Sequence, residues 1–381
     1  MYPVLLTSIF SIISTSLAAP TTNIPIIKHA GSVRLNSYII KLKDSVFQEL
    51  HFDDLFSSGT HPSITYKYKD AFHGYAAKFQ SEELRYIRQS SDVEYIVEDG
   101  IIALDYDVIE STSEPNMKAN FEDQMYMSTH IGGAGVDIYG LDTGIQINHT
   151  SFGGRARWGA TFGGYDDVDR NGHGTHTAAT AVGDSFGVAT SSNIIAVKVL
   201  GDSAIGQWSD VIAGIDFVIT QAAQSGRPTI ATLSLTGFTY TPVDIAVANA
   251  ISKGVHFTVA AGNWGVDASG SSPAHVEEAN TIGAVDSNKV RAGFSNFGAS
   301  IDVWALGVNV TSAWVGPAGT ETRVLSGTSM ATPFVAGILA VAIGDYGNKS
   351  PADLSKDLKA NARPVVTGAP NGTTNLLVSQ W

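Results

Sequence analysis

The sequence predicts an α/β protein built on a central, mostly parallel sheet with helices on both faces, preceded by a small α+β unit. Three observations predict it. From Gly135 onward short apolar strands alternate with helical patterns, the order that buries a parallel sheet on both sides. Between Ser37 and Leu104 the pattern runs strand, helix, strand, strand, helix, strand, which is the βαββαβ order of a ferredoxin-like unit. Thirty-nine glycines in 381 residues supply tight turns and close backbone approaches that a helical bundle does not need.

Taken in order, Met1 to Pro20 holds an apolar stretch from Val4 to Leu17, with Ser16 and Ala18 spaced for signal peptidase. Residues 1–18 are therefore expected to be a signal peptide and the product to be secreted and extracellular. The small unit is expected as strand Tyr38 to Leu42, helix Asp44 to Ser57, strands Ile64 to Tyr68 and Tyr75 to Phe79, helix Ser81 to Gln89 and strand Val93 to Val97. Its folded core spans 37–104 within a segment 19–106. Residues 107–134 lack sustained periodicity and read as a linker or an atypical start to the main domain, 135–381. There the expected strands are Val136 to Leu141, Ile194 to Leu200, Thr229 to Leu235, His256 to Ala261 and Thr281 to Val285. Helical patterns cover His173 to Val182, Trp208 to Gln224 and Val243 to Ser252.

Charge and composition exclude several function classes. A net charge of −13 argues against nucleic acid and in favour of bound cations. After the N-terminus no segment has eighteen uninterrupted apolar residues, so no membrane span is expected. Cysteine is absent, which leaves stability to the core or to metal. Sequons at Asn148, Asn309, Asn348 and Asn371 are candidate glycosylation sites in a secreted chain.

Three glycine-flanked segments carry reactive side chains. In Gly140-Leu141-Asp142-Thr143-Gly144 an apolar strand delivers a carboxylate into a turn. In Asn171-Gly172-His173-Gly174-Thr175-His176 a histidine starts a small-residue helix, and histidine is the side chain able to take and return a proton near neutrality. In Ser326-Gly327-Thr328-Ser329-Met330-Ala331-Thr332-Pro333 a serine opens an apolar helix, whose free N–H groups suit an oxyanion. Taken singly, each has a plainer reading. Asp142 would be a turn residue, Ser329 an N-cap, and His173 with His176 two metal ligands, although no nearby carboxylate or cysteine completes a zinc pattern. Together they supply a nucleophile, its base and the carboxylate that fixes the base's tautomer.

In motif and in chain order Asp, His, Ser, residues 135–381 resemble the catalytic domain of the subtilase family, closest to the fungal proteinase K group. Residues 37–104 resemble its inhibitory propeptide. The resemblance implies a three-layer subtilisin-like fold and a secreted serine endopeptidase of broad specificity, made as a self-processing zymogen and working as a monomer. Asp142, His173 and Ser329 would be its triad, and Asn263, in Ala260-Ala261-Gly262-Asn263, its oxyanion donor. Protein and peptide substrates would lie as a strand between Ala204, Ile205 and Gly206 on one edge and Ser234, Leu235, Thr236 and Gly237 on the other, beside Ala260, Ala261 and Gly262. Thr236 stands where the family has glycine, which narrows or reshapes the first specificity pocket. No cofactor is implied for catalysis; a structural calcium is, held by carbonyls of Glu277 and Ala279 and by Asp302. The family's Trp-Gly-Leu segment is missing from 107–134. That departure favours the competing reading of a catalytically impaired homologue acting as a binding protein. A third reading is an esterase, but no Gly-X-Ser-X-Gly elbow surrounds Ser329.

Overall fold

A computed structural model describes residues 23–104, 107–108 and 132–381. The expected signal segment 1–18, residues 105–106 and most of the 107–134 segment lie outside the described residues. Among the described residues the principal sheet has nine strands. Their spatial order is Arg363–Pro364, Leu376–Leu377, Val303–Leu306, Asn280–Val285, His256–Ala260, Thr229–Leu233, Asp137–Asp142, Asn193–Lys198 and Ala156–Thr161. Neighbours are parallel except for the first pair. Strands Asn280–Val285, His256–Ala260, Thr229–Leu233 and Asp137–Asp142 are buried at every residue, which is why they read as continuous apolar runs, whereas the equally buried Val303–Leu306 is only four residues long.

From Asp137–Asp142 the chain builds first to one side, through Ala156–Thr161 and Asn193–Lys198, and then to the other. The carboxyl end of this strand is thus a topological switch point, where open α/β sheets form their sites. Asp142 is its last residue.

Helices His173–Val182 and Thr328–Tyr346 pack together in the core on one face of the sheet. Helices Trp208–Ser225 and Thr241–Ser252 pack together in the core on the other. The result is the expected three layers. Among the described residues only Thr328–Tyr346 is long and apolar enough to cross a membrane, and it is 89% buried, which makes it a core helix of this fold.

The N-terminal unit keeps its expected element order. Strands Val33–Leu42, Ser63–Lys67, Gly74–Lys78 and Val93–Ala103 form an antiparallel sheet in the spatial order fourth, first, third, second, with helices Gln48–Ser57 and Ser81–Ile87. The two-residue period of a strand divides its faces. Ile40 and Leu42 join Phe52, Leu55, Tyr75, Phe79 and Ile87 in a core of the unit's own. Ile39, with Tyr68, Phe72 and Val97, joins Trp208, Val211 and Ile212 of the main domain in one continuous core.

Some expected boundaries move. The first helix starts at Gln48 and not at Asp44, because Val46 N–H closes a turn on the Lys43 carbonyl and Phe47 is extended. The last strand runs on to Ala103, well past Val97. Ala156–Thr161, Val303–Leu306, the hairpin Val310–Ala313 with Thr322–Ser326, and helix Pro351–Asn361 are additions to the expected set.

Candidate active site

The strand end and a helix start meet at the switch point. Both carboxylate oxygens of Asp142 accept from His173 Nδ1, at 2.8 and 2.9 Å, and both residues are buried. Thr143 N–H and the Thr177 hydroxyl also donate to Asp142, at 2.7 and 3.2 Å. With the carboxylate accepting at Nδ1, the proton of the neutral imidazole sits there and Nε2 is left basic. The flanking glycines are steric requirements. A Cβ on Gly174 would lie 2.1 Å from the Gly144 carbonyl oxygen, and Gly172 has φ +105° against the Trp314 ring.

A buried carboxylate that the sequence does not single out ties these two segments together. Asp169 Oδ1 accepts from the Thr143 hydroxyl at 3.0 Å, Asn171 N at 3.1 Å and Gly172 N at 2.9 Å. Its Oδ2 accepts from Thr175 N at 3.0 Å and the Thr175 hydroxyl at 2.6 Å. Thr143 Oγ1 in turn accepts Gly174 N–H at 2.9 Å. Burial pushes the Asp169 carboxyl above its usual range, against the pull of these donors. Five converging donors on one side chain hold the residues before and after His173 in register with the residue after Asp142.

Ser329 is the second residue of helix Thr328–Tyr346 and is nearly buried. Pro333, four residues on, has no N–H to give to the Ser329 carbonyl. The Ser234 hydroxyl makes that bond instead, at 2.8 Å, while the Ser329 hydroxyl donates to the Ser234 carbonyl at 3.1 Å. The reciprocal pair pins the helix start to the end of strand Thr229–Leu233. Asn263 Oδ1 accepts from both Thr328 N and Thr328 Oγ1, each at 2.9 Å. With the oxygen so engaged, the amide nitrogen faces away from Thr328, and Asn263 and Ser329 line the same cavity.

The cleft holds the chain's own strand. Ile101, Ile102 and Ala103 pair antiparallel with Gln207, Gly206 and Ile205, and Leu104 N–H reaches the Ala204 carbonyl at 3.0 Å. Leu104 lines the cavity with Ser234, Leu235, Thr236, Ala260, Gly262, Asn263 and Ser329. Beyond it, Asp107 and Val108 pair antiparallel with Ser326 and Leu325, the strand that leads into the Ser329 helix. Across the pocket the Thr236 hydroxyl donates to the Ala260 carbonyl at 2.5 Å and ties its two walls. Ala261 lies behind this wall, its carbonyl held by Asn296 Nδ2 at 2.8 Å.

Where the N-terminal unit meets helix Trp208–Ser225, Asp99 is fully buried and accepts from Ser37 Oγ, Ser209 N and Ser209 Oγ, at 2.9, 3.1 and 2.7 Å. A carboxylate there also faces the positive end of the helix. Its neighbour Asp210 takes the Tyr66 hydroxyl at 2.7 Å, and burial pushes its carboxyl up to about 6.

The other candidates separate. His176 Nε2 donates to the Val310 and Arg323 carbonyls at 3.0 and 3.1 Å, and burial pushes its pKa down to about 3. It is a neutral core histidine, so His173 and His176 do not make a metal pair. Asp302 Oδ2 accepts Thr281 N–H at 2.8 Å and Oδ1 accepts Lys359 Nζ at 3.0 Å. Glu277 is exposed and Ala279 buried. Asn148, Asn309, Asn348 and Asn371 are all exposed.

Comparison with known proteins agrees with this geometry. Residues 133–377 match the model of the subtilase family and residues 37–105 that of peptidase inhibitor I9. Subtilisin-like protease 2 of Pseudogymnoascus destructans is 38% identical over 366 residues, 91% of this chain and 90% of its own length. The alkaline serine protease ver112 of Corniculantispora psalliotae is 35% identical over 98% of both chains. Among solved structures, a cold adapted subtilisin-like serine proteinase is similar with TM-score 0.63 and 40% identity, over 67% of this chain and 92% of that one. Fervidolysin from Fervidobacterium pennivorans aligns over 94% of this chain and 62% of its own with TM-score 0.72, and at 18% identity it shares the fold.

Proposed function

With a chain that belongs to the subtilase family, a serine endopeptidase bearing an I9 propeptide as intramolecular inhibitor, we propose that Asp142, His173 and Ser329 are its catalytic triad. The observation that carries this reading is His173 Nδ1 held by both oxygens of a buried Asp142. In the working enzyme Ser329 Oγ leaves the Ser234 carbonyl and gives its hydrogen bond to His173. Oγ then attacks the substrate carbonyl carbon while its proton passes to Nε2. Ser329 N–H and the Asn263 amide receive the oxyanion, the proton moves on to the leaving amine, and water resolves the acyl-enzyme by the same path reversed. Asp142 stabilises the imidazolium throughout. Subtilases need no cofactor for this cycle.

Substrates bind by β-augmentation between Ala204–Gly206 and Ser234–Gly237, along the course of Ile101 to Leu104. Main-chain hydrogen bonds of that kind give broad specificity. Residues 19–106 act as propeptide, and the pairing of Ile101 to Ala103 with Ile205 to Gln207 and of Asp107 and Val108 with Leu325 and Ser326 supports processing between Leu104 and Asp107. Segment 1–18 directs secretion, and the four exposed sequons are glycosylated on that route. For the structural calcium implied by resemblance, the donors would be the Glu277 and Ala279 carbonyls and Asp302. They do not fit a calcium ion as they stand, because Lys359 Nζ already stands on Asp302 Oδ1 and an ammonium and a dication compete for the same carboxylate.

The test is the full-length Ser329→Ala chain. It is expected to stay unprocessed and to leave casein intact, while N-terminal sequencing of the wild-type product finds its start between residues 105 and 107. Normal trimming of the variant by purified protein alone would overturn self-processing.

A further inference from the structure

We infer that a lysine ammonium replaces the calcium ion at Asp302, so that this site works without metal. The carboxylate is tied on both sides. Oδ2 accepts Thr281 N–H from the start of strand Asn280–Val285, Oδ1 faces Lys359 Nζ at 3.0 Å, and the side chain is only 16% exposed. Asp302 N–H returns a bond to the Thr281 carbonyl at 3.0 Å, which fixes the backbone that presents the carboxylate. Calcium requires about six to eight oxygens at about 2.3–2.6 Å, and an ammonium on the one carboxylate occupies the approach.

The lysine is positioned by its helix. Pro351–Asn361 starts from Ser350, whose side chain accepts Asp353 N–H, with Pro351 in the first turn. Leu354 and Leu358 are buried and anchor it against the main core. Lys359 follows Leu358 in the last turn, where a cation also suits the negative end of the helix. One ammonium balances one carboxylate, whereas a divalent ion on the same carboxylate would leave a surplus.

The experiment is thermal unfolding of the full-length Ser329→Ala chain, which cannot digest itself, in EDTA and in millimolar calcium chloride. The Tm is expected to agree within about 1 °C between the two. Adding Lys359→Met is expected to lower the Tm by about 2–6 °C in EDTA and to have it largely restored by calcium. A Lys359→Met chain that neither loses Tm nor responds to calcium would overturn the proposal. So would a chelator-sensitive parent whose sensitivity disappears with Asp302→Asn. A sensitivity that survives Asp302→Asn places the ion elsewhere and supports a metal-free Asp302. The readout does not involve catalysis, so its failure leaves the protease assignment untouched.

Discussion

Asp169→Asn keeps the side chain's shape, removes its charge and turns one acceptor oxygen into a donor. Two donors converge on Oδ2 and three on Oδ1, so whichever end becomes the amide nitrogen confronts at least two N–H or O–H groups. Losing two hydrogen bonds to a charged acceptor, at about 1.5–2.5 kcal/mol each, gives a stability loss of about 3–5 kcal/mol. For a domain of this size that corresponds to a Tm lower by roughly 6–20 °C. The effect on turnover follows from position. Asn171 and Gly172 N–H lie just before His173 and Thr175 just after it, so relaxation there moves the imidazole away from Ser329. A misplacement of up to about 1 Å costs roughly 10- to 100-fold. Steady-state kinetics on a peptide p-nitroanilide, well below the variant's Tm, should show kcat down by about that factor with KM within about threefold. A kcat within about twofold of wild type, alongside the Tm loss, would refute the link from Asp169 to the triad and leave it as a brace of the fold.

Thr236→Gly removes the bond that ties the pocket walls, and the ratio of activity on Phe- over Ala-terminated p-nitroanilides should rise about tenfold or more; an unchanged ratio would remove Thr236 from the pocket wall. Asn263→Ala should lower kcat about 100- to 1000-fold with little change in KM, and a loss confined to KM would contradict an oxyanion role. The N-terminal unit should be held more loosely as pH rises through about 6. Asp210, raised to about 6 by burial, contributes docking stability that is complete below its ordinary value and lost above the raised one. Asp99 is raised in the same sense, whereas His29, lowered by burial, opposes it as pH falls. Asp210→Asn should therefore flatten the pH dependence of propeptide release between pH 5 and pH 7.5, and an unaltered slope would refute the assignment.

Legibility in the sequence followed burial. The strands Asp137–Asp142, Thr229–Leu233 and His256–Ala260 could be read because both of their faces are covered and their residues run apolar. Ala156–Thr161 could not, since an edge strand with Arg157 and Gly159 has no such run. Helix Pro351–Asn361 had a usable signal in Ser350, Pro351 and Asp353, but a largely polar surface masked it. Asp142, His173 and Ser329 stood out through their flanking glycines, two of which are required by contact with Gly144 and Trp314. Asp169 did not, being one aspartate in an Asp-rich turn whose five donors are set by folding. The Ser234–Ser329 exchange, which depends on a proline four residues downstream, and the Lys359–Asp302 pair join residues far apart in the chain. No local pattern couples them.

The triad itself is tested most directly by a fluorophosphonate, which reacts only with an activated serine, combined with mass mapping of the adduct and casein hydrolysis on the same samples. A single adduct on Ser329 is expected, with hydrolysis falling in proportion to labelling, and His173→Ala should slow both by at least about 1000-fold. Casein hydrolysis that persists after complete labelling of Ser329, or an adduct on another serine that accounts for the loss, would contradict it.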